Sequence, residues 1–192
     1  MFSITQRAQD VSSMITTSIG VLAVLISLSS LIQLYLNDYN NLSGEISVKK
    51  AQNSVKFTRS FGGNARNGKE NVKLAFDLET DLTPLFNWNT KQVFVYLVGE
   101  YDGLNVLKKA KVAKDESSKV VFWDKIIKDK SGAVLDLKNT RSKYSVWDYY
   151  QKMGNRTANL KLEYNIQPHV GPLIWGSVDF NYPFEFPEPK NA

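Results

Sequence analysis

Val72-Lys73-Leu74-Ala75-Phe76-Asp77-Leu78-Glu79 reads VKLAFDLE, with a large apolar side chain at every even position and mostly polar residues between. Side chains alternate across a β-strand, so one face of this segment is apolar and the other wet, as in a half-buried strand. The same period recurs outward from it. The run 92–98 is apolar on both faces, as a central strand is. The run 120–127 (VVFWDKII) is closed by Lys130-Ser131-Gly132, and 134–137 reads as its returning hairpin partner. Leu160, Leu162, Tyr164 and Ile166 alternate with polar residues, and so do Val178, Phe180, Tyr182, Phe184 and Phe186. Pro183 places that last strand at an edge or a bulge. Val55 and Phe57 suggest an earlier strand turned by Gly62-Gly63-Asn64, and a helical turn is expected around Asn139 to Tyr150. Some seven short strands between turns predict a mainly β chain, an antiparallel β-sandwich.

The N-terminal part follows another rule. No charged residue lies between Asp10 and Asp38, and Ile15 to Leu36 is an apolar centre. At about 1.5 Å per residue this segment is roughly 33 Å long, enough to cross a hydrocarbon layer of about 30 Å. A cleaved signal peptide has a shorter apolar core and a small-x-small site; Ser27-Leu28-Ser29 matches poorly, and the apolar run continues past it. The expected organisation is a tail over residues 1–12, a transmembrane helix over 13–37 and a β-sandwich over 38–192. Thr16, Gly20, Ala23, Ser27 and Ser30 follow at spacings that put small residues on one helix face, a surface on which a partner helix can pack closely. Charge alone orients the span weakly, because Arg7 on one side is balanced by Lys49 and Lys50 behind Asp38 and Glu45 on the other. Two sequons follow the span. Asn155-Arg156-Thr157 occupies an exposed turn and is the expected N-glycosylation site, whereas Asn41 is too near the membrane for the transferase.

Composition narrows the chemistry. The chain has 192 residues and no cysteine, so disulfides, zinc-thiolate sites and cysteine nucleophiles are excluded. The net charge of +5 is spread over interleaved lysines, arginines and acids, which does not make a nucleic-acid surface. The lysine-rich stretch 108–119 reads as a solvated loop. The one histidine, His169, lies in a turn between Pro168 and Pro172, with no G-x-S-x-G elbow elsewhere. Asp77, Glu79 and Asp81 share one strand face, so they do not approach a substrate from two sides as glycosidase carboxylates do. The stretch 62–69 lacks the order of a phosphate loop, because Glu70 stands where Ser or Thr is needed. No catalytic, metal or cofactor site is expected.

The run 81–97, DLTPLFNWNTKQVFVYL, carries no chemistry but sets a turn at Pro84. Leu85, Phe86 and Trp88 beside it are, with Pro84, candidate core or partner contacts. This run closely resembles the signature of the family of signal peptidase complex subunit 3, in its fungal form. Phe122-Trp123-Asp124-Lys125-Ile126-Ile127, Leu137-x-x-x-Arg141-Ser142-Lys143-Tyr144-Ser145-Val146-Trp147-Asp148 and Asn165-Ile166-Gln167-Pro168-x-Val170-Gly171 agree with it in order. The stretch around residues 104–119 departs from it, being longer. The resemblance implies a non-catalytic, single-pass type II protein of the endoplasmic reticulum membrane with a lumenal sandwich. Its implied partners are a catalytic serine protease subunit, other membrane subunits and the bilayer. Two other classes stay open on the residues themselves: a membrane-tethered lumenal binding or adhesion module, and an independent hydrolase using His169.

Overall fold

The computed structural model describes residues 3–57, 68–102, 117–148 and 152–189. The expected Gly62-Gly63-Asn64 turn, and most of the lysine-rich stretch 108–119, lie outside the described residues.

The chain opens with α1 (Ile4–Leu36), a helix of 33 residues. Its length is therefore about 50 Å. Ser3 caps it, its hydroxyl oxygen accepting from the Gln6 N–H at 3.3 Å. With a cap at Ser3 and neither Gly nor Pro before Gly20, nothing interrupts the helix between residues 4 and 12, so part of the expected tail is helical. Apolar surroundings leave side-chain hydroxyls no water to bond. Thr16, Thr17 and Ser18 instead each donate to the carbonyl four residues back, at 2.9 Å. At the other end Asn37 donates to the Gln33 and Leu34 carbonyls. Asp38 then takes a left-handed φ of 53°, a conformation aspartate tolerates, and turns the chain away.

Seven antiparallel strands follow among the described residues: β1 (Gly44–Lys56), β2 (Lys69–Asp81), β3 (Thr90–Asp102), β4 (Ser117–Ile127), β5 (Val134–Arg141), β6 (Thr157–Pro168) and β7 (Ile174–Glu185). They form a three-stranded sheet in the order β1-β2-β5 and a four-stranded sheet in the order β4-β3-β6-β7. The inner faces pack together as a sandwich. Val72, Leu74, Phe76 and Leu78 of β2 meet Val93, Val95 and Leu97 of β3 and Leu160, Leu162 and Tyr164 of β6 in one core. Phe76 and Trp123 cross between the sheets edge to face, with centroids 6.1 Å apart. Thus the chain is mainly β with one membrane helix.

Several sequence expectations are met, and others are corrected. β3 is central and apolar on both faces, and β7, which holds Pro183, is an edge strand. β1 is longer than Val55 and Phe57 suggested, because a register shift between Val48 and Lys50 breaks the alternation there. β5 does not return beside β4. It crosses to the other sheet and pairs with β2, Leu137 opposite Leu78, after the Leu82 N–H bonds the Ala133 carbonyl at 3.1 Å. No helical turn occurs within residues 139–148, where Val146 bridges Val72 instead.

Two polar groups hold the end of the sandwich far from α1. Arg156 and Asp148 pair at 2.6 Å with both side chains almost wholly buried, and the Tyr101 hydroxyl donates to Asp148 at 3.0 Å. Burial and the Asp148 charge push the Tyr101 hydroxyl far up. Glu70 accepts from the Asn53 amide at 3.0 Å and from the Met153 and Gly154 N–H groups at 2.7 Å each. Burial raises its carboxyl, but these three hydrogen bonds outweigh that and hold it below its ordinary 4.5.

Because that carboxyl is depressed in the fold, its stabilisation is present above the unfolded value and lost as pH falls through the folded one. Glu70→Gln is expected to lower stability at pH 7 by about 1–2 kcal/mol. In thermal unfolding of the purified chain in detergent, the gap from wild type should hold down to about pH 5 and close below it.

Candidate functional site

The helix and the sandwich meet through the turn that opened the DLTPLFNW run. Asp81 accepts from the Thr83 N–H at 2.8 Å. Bonds from the Thr83 side chain and from this N–H hold its carboxyl below the ordinary range. Pro84 starts a 3-10 turn, Thr83–Leu85. Leu85 and Phe86 drop into the core, while Trp88 is left 60% exposed. The four candidates in this turn thus part company: two pack inside, one shapes the backbone, and one faces out.

Between Phe86 and Trp88, Asn87 turns toward the helix. Its amide donates to the Ser30 carbonyl at 3.1 Å and to the Ser30 hydroxyl at 2.9 Å. Its side-chain carbonyl accepts from the Asn89 N–H at 2.9 Å, which fixes its orientation. Asn89 is buried and holds the segment after β6 by both ends of its amide. It donates to the Val170 carbonyl at 2.7 Å and accepts from the Val170 N–H at 3.1 Å, while the His169 N–H bonds the Asn89 backbone carbonyl at 2.8 Å. Behind this segment Gly171 has φ +124°, a conformation favouring glycine, and a Cβ there would come within 2.7 Å of the Ser27 hydroxyl.

The last turns of α1 are therefore built into the sandwich. Leu34 is 2% exposed and belongs to the common core, and Ser30 is 5% exposed. Just past the helix, the Tyr39 carbonyl accepts from the Tyr164 hydroxyl of β6 at 2.9 Å. A Cβ on Gly176 of β7 would overlap that hydroxyl and its ring, so the close approach needs glycine. The small-residue face divides accordingly. Ser27 and Ser30 meet the chain's own sandwich, Ala23 is half-buried, and Thr16 and Gly20 are exposed.

The other matching runs also lie at joints. In the run 141–148, the Ser142 N–H donates to the Leu74 carbonyl and the Tyr144 N–H to the Phe122 carbonyl, so the segment laces β2 to β4. Asp124, from the FWDKII run, accepts from the Tyr144 hydroxyl at 2.8 Å and pairs with Lys143 at 3.3 Å.

Groups able to carry chemistry are scattered. His169 is exposed, and its side chain has no hydrogen bond or ion pair with another described residue. Asp77 accepts from the Asn139 N–H at 2.7 Å and pairs with Lys49 at 3.2 Å; the first of these bonds holds its carboxyl low. Among the described residues no three His, Asp or Glu side chains gather to hold a metal ion. Asn155 sits in an exposed turn at φ 59°, its amide on Glu188 at 3.1 Å, and Asn41 is exposed just beyond the helix end at Asn37.

A membrane helix locked by its final turns into a β-sandwich, with its most distinctive runs spent on joints, is the architecture of a membrane-anchored assembly subunit. The chain matches the family described as signal peptidase subunit over residues 1–189, and it belongs to that family. It is 47% identical over 189 residues to signal peptidase complex subunit 3 of Debaryomyces hansenii, covering 98% of this chain and 95% of the relative. To the same subunit of Saccharomyces cerevisiae it is 44% identical over 183 residues, or 95% of each chain. Against the Homo sapiens subunit the figure is 36% over 114 residues, or 58% of each.

The Ser30–Asn87 pair, far apart in the chain, had no signal in the sequence beyond two asparagines flanking Trp88. Asn87→Ala leaves the Ser30 hydroxyl without its donor and the Asn89 N–H without its acceptor, and is expected to cost about 1–3 kcal/mol. Hydrogen exchange of the full chain in detergent checks this. Protection should fall at residues 27–34 and at 169–171, while the β3 and β6 ladders keep theirs.

Proposed function

We infer that the chain works as a non-catalytic subunit of the signal peptidase complex in the endoplasmic reticulum membrane. The observation that carries this is the match, over 95% or more of this chain, to two fungal proteins named as subunit 3 of that complex. A free-standing adhesion module has no such support.

In this reading the chain is single-pass and type II, with the N-terminal end of α1 in the cytosol and the sandwich, residues 38–192, in the lumen. Its work is mechanical. Leu34, Ser30 and Asn87 join span and sandwich into one body, and that body supports the lumenal domain of the catalytic serine protease subunit as signal peptides are cut. Thr16 and Gly20, which the sandwich leaves uncovered, are offered to a neighbouring membrane helix of the complex. Phe86 supports the turn from inside. Peptide hydrolysis in this reading belongs to the protease subunit. Asn155 carries an N-linked glycan, being exposed on a turn at the far end of the sandwich, whereas Asn41 is too near the helix end for the transferase to reach.

Depletion of this protein, followed by pulse-labelling of a secretory precursor, is expected to leave uncleaved precursor. If the protease subunit persists, support is direct; if it disappears, the chain stabilises it; normal cleavage under complete depletion would overturn the reading. Asn155→Gln should abolish a glycosidase-sensitive mobility shift that Asn41→Gln retains, which also reports the side of the membrane.

A further inference from the structure

Irregular backbone is not tolerated facing lipid tails, because its N–H and C=O groups have no water to bond there. That rule fixes where the bilayer can lie on α1. The turn 87–89 and the segment 169–172 both reach the helix at Ser27 and Ser30, through the Asn87 amide and through Gly171. Neither segment is helix or strand, and His169, Gly171 and Pro172 are exposed. The sandwich side of α1 therefore leaves the hydrocarbon near Ser27, while Leu28, Ile32 and Leu36 on its other sides keep apolar surface exposed as far as the helix end. Before that point the charge-free part of the helix, residues 11–26, spans about 24 Å against the ~30 Å of a hydrocarbon core, so the turn that holds Arg7 and Asp10 reaches its far boundary. Arg7 stands near the far boundary, where its stem can lie in apolar surroundings and its charge in water.

The surface of the sandwich agrees with this level. β3 starts, β4 ends, β6 ends and β7 starts at the same end, the one that receives α1. Of the eight large apolar side chains that the described part of the sandwich leaves exposed, five lie there: Trp88, Ile126, Val134, Leu173 and Trp175. Three of them stand one residue from a group in contact with the helix or lining the crevice beside it. Trp88 follows Asn87, Leu173 follows Pro172, and Trp175 follows Ile174. Trp88 and Trp175 are 60% and 64% exposed, a costly state in water for indole rings and the ordinary one in the headgroup layer.

We propose that the helix end of the sandwich is seated in the interfacial layer of the bilayer by Trp88, Leu173 and Trp175, so that the sandwich side of α1 meets hydrocarbon only before Ser27. The occupant of this apolar rim is the lipid surface itself, on whichever side of the membrane the sandwich stands. The last turns of the helix are then shared between the sandwich, through Ser30 and Leu34, and the interfacial layer, through Ile32 and Leu36, and the span is shifted toward the N-terminus from residues 13–37.

The sequence has no cysteine, so single labels can be placed without removing others. Trp88→Cys, Leu173→Cys and Glu185→Cys of the full chain, each carrying a bimane fluorophore, would be reconstituted in phosphatidylcholine vesicles. Labels at 88 and 173 should lose emission to a lipid nitroxide placed near the headgroup, and less to one near the chain end. The label at 185, exposed at the far end of the sandwich opposite Thr157, should respond only to aqueous iodide. Iodide quenching at 88 and 173 as strong as at 185 would overturn the proposal, and so would shielding from both lipid and water, which would mean a second protein surface covers the rim. Should a cysteine variant not fold, the native chain serves. Shallow brominated lipid should quench its tryptophan emission, and Trp88→Phe with Trp175→Phe should remove most of that loss; quenching unchanged in the double variant would again overturn it.

Discussion

The polar pair of Asn87 and Ser30, set beside the buried Leu34, is the constraint on which the rest of this chain depends. A helix made to live in lipid satisfies its few polar groups from within, and a sandwich made to live in water hides most of its apolar ones. Where the two meet, each must accept the other's chemistry. Here the helix contributes one apolar plug and one serine, and the sandwich contributes an amide aimed at it. Remove the amide and the buried serine hydroxyl loses its donor; remove the plug and a cavity is left at that end. The joint is specific because both kinds of contact must be made by the same two turns of helix.

Much of the remaining sequence serves that joint or its mirror image at the other end. Asn89 holds the segment after β6 in place with a reciprocal amide, and this in turn places Gly171 against Ser27. At the far end Glu70 does for the turn at Met153 and Gly154 what Asn89 does near the helix, with a charge in place of an amide. Between these ends lies a core of ordinary composition. The runs that resemble the signal peptidase subunit family most plainly are those that join elements, and their residue types follow from hydrogen bonds rather than from chemistry on a substrate.

The strands with strict alternation were legible in the sequence, β2 above all, since Val72, Leu74, Phe76 and Leu78 declare one buried face. The apolar run in β3 likewise announced a central position. β1 was mostly hidden because its bulge resets the alternation and its exposed face carries lysines. The crossing of β5 to the opposite sheet was not legible either, since a short turn reads as a hairpin whether or not the strand returns. The membrane helix was plain from its missing charges, but its start was not. A polar first turn looks like a tail until its cap is seen. As for the site, Pro84, Leu85, Phe86 and Trp88 could be named as a group, while their separate directions depended on tertiary contacts. Ser27 and Ser30 read as part of a surface for another helix, because spacing reports which residues share a face and not what covers it.

The bond from the Tyr164 hydroxyl to the Tyr39 carbonyl, with Gly176 cleared to admit it, closes the helix onto the second sheet just beyond its last turn. Span and sandwich are then joined at more than one point, and the orientation of one follows that of the other in the bilayer. A helix adjusts its tilt to the thickness of the lipid around it. Long strands such as β3 (Thr90–Asp102) carry the far edge of the sandwich about 40 Å from the joint. A change in tilt of about 10° therefore swings that edge by about 7 Å. The chain is a lever with its fulcrum at the membrane surface, and local membrane thickness sets where its outer arm points.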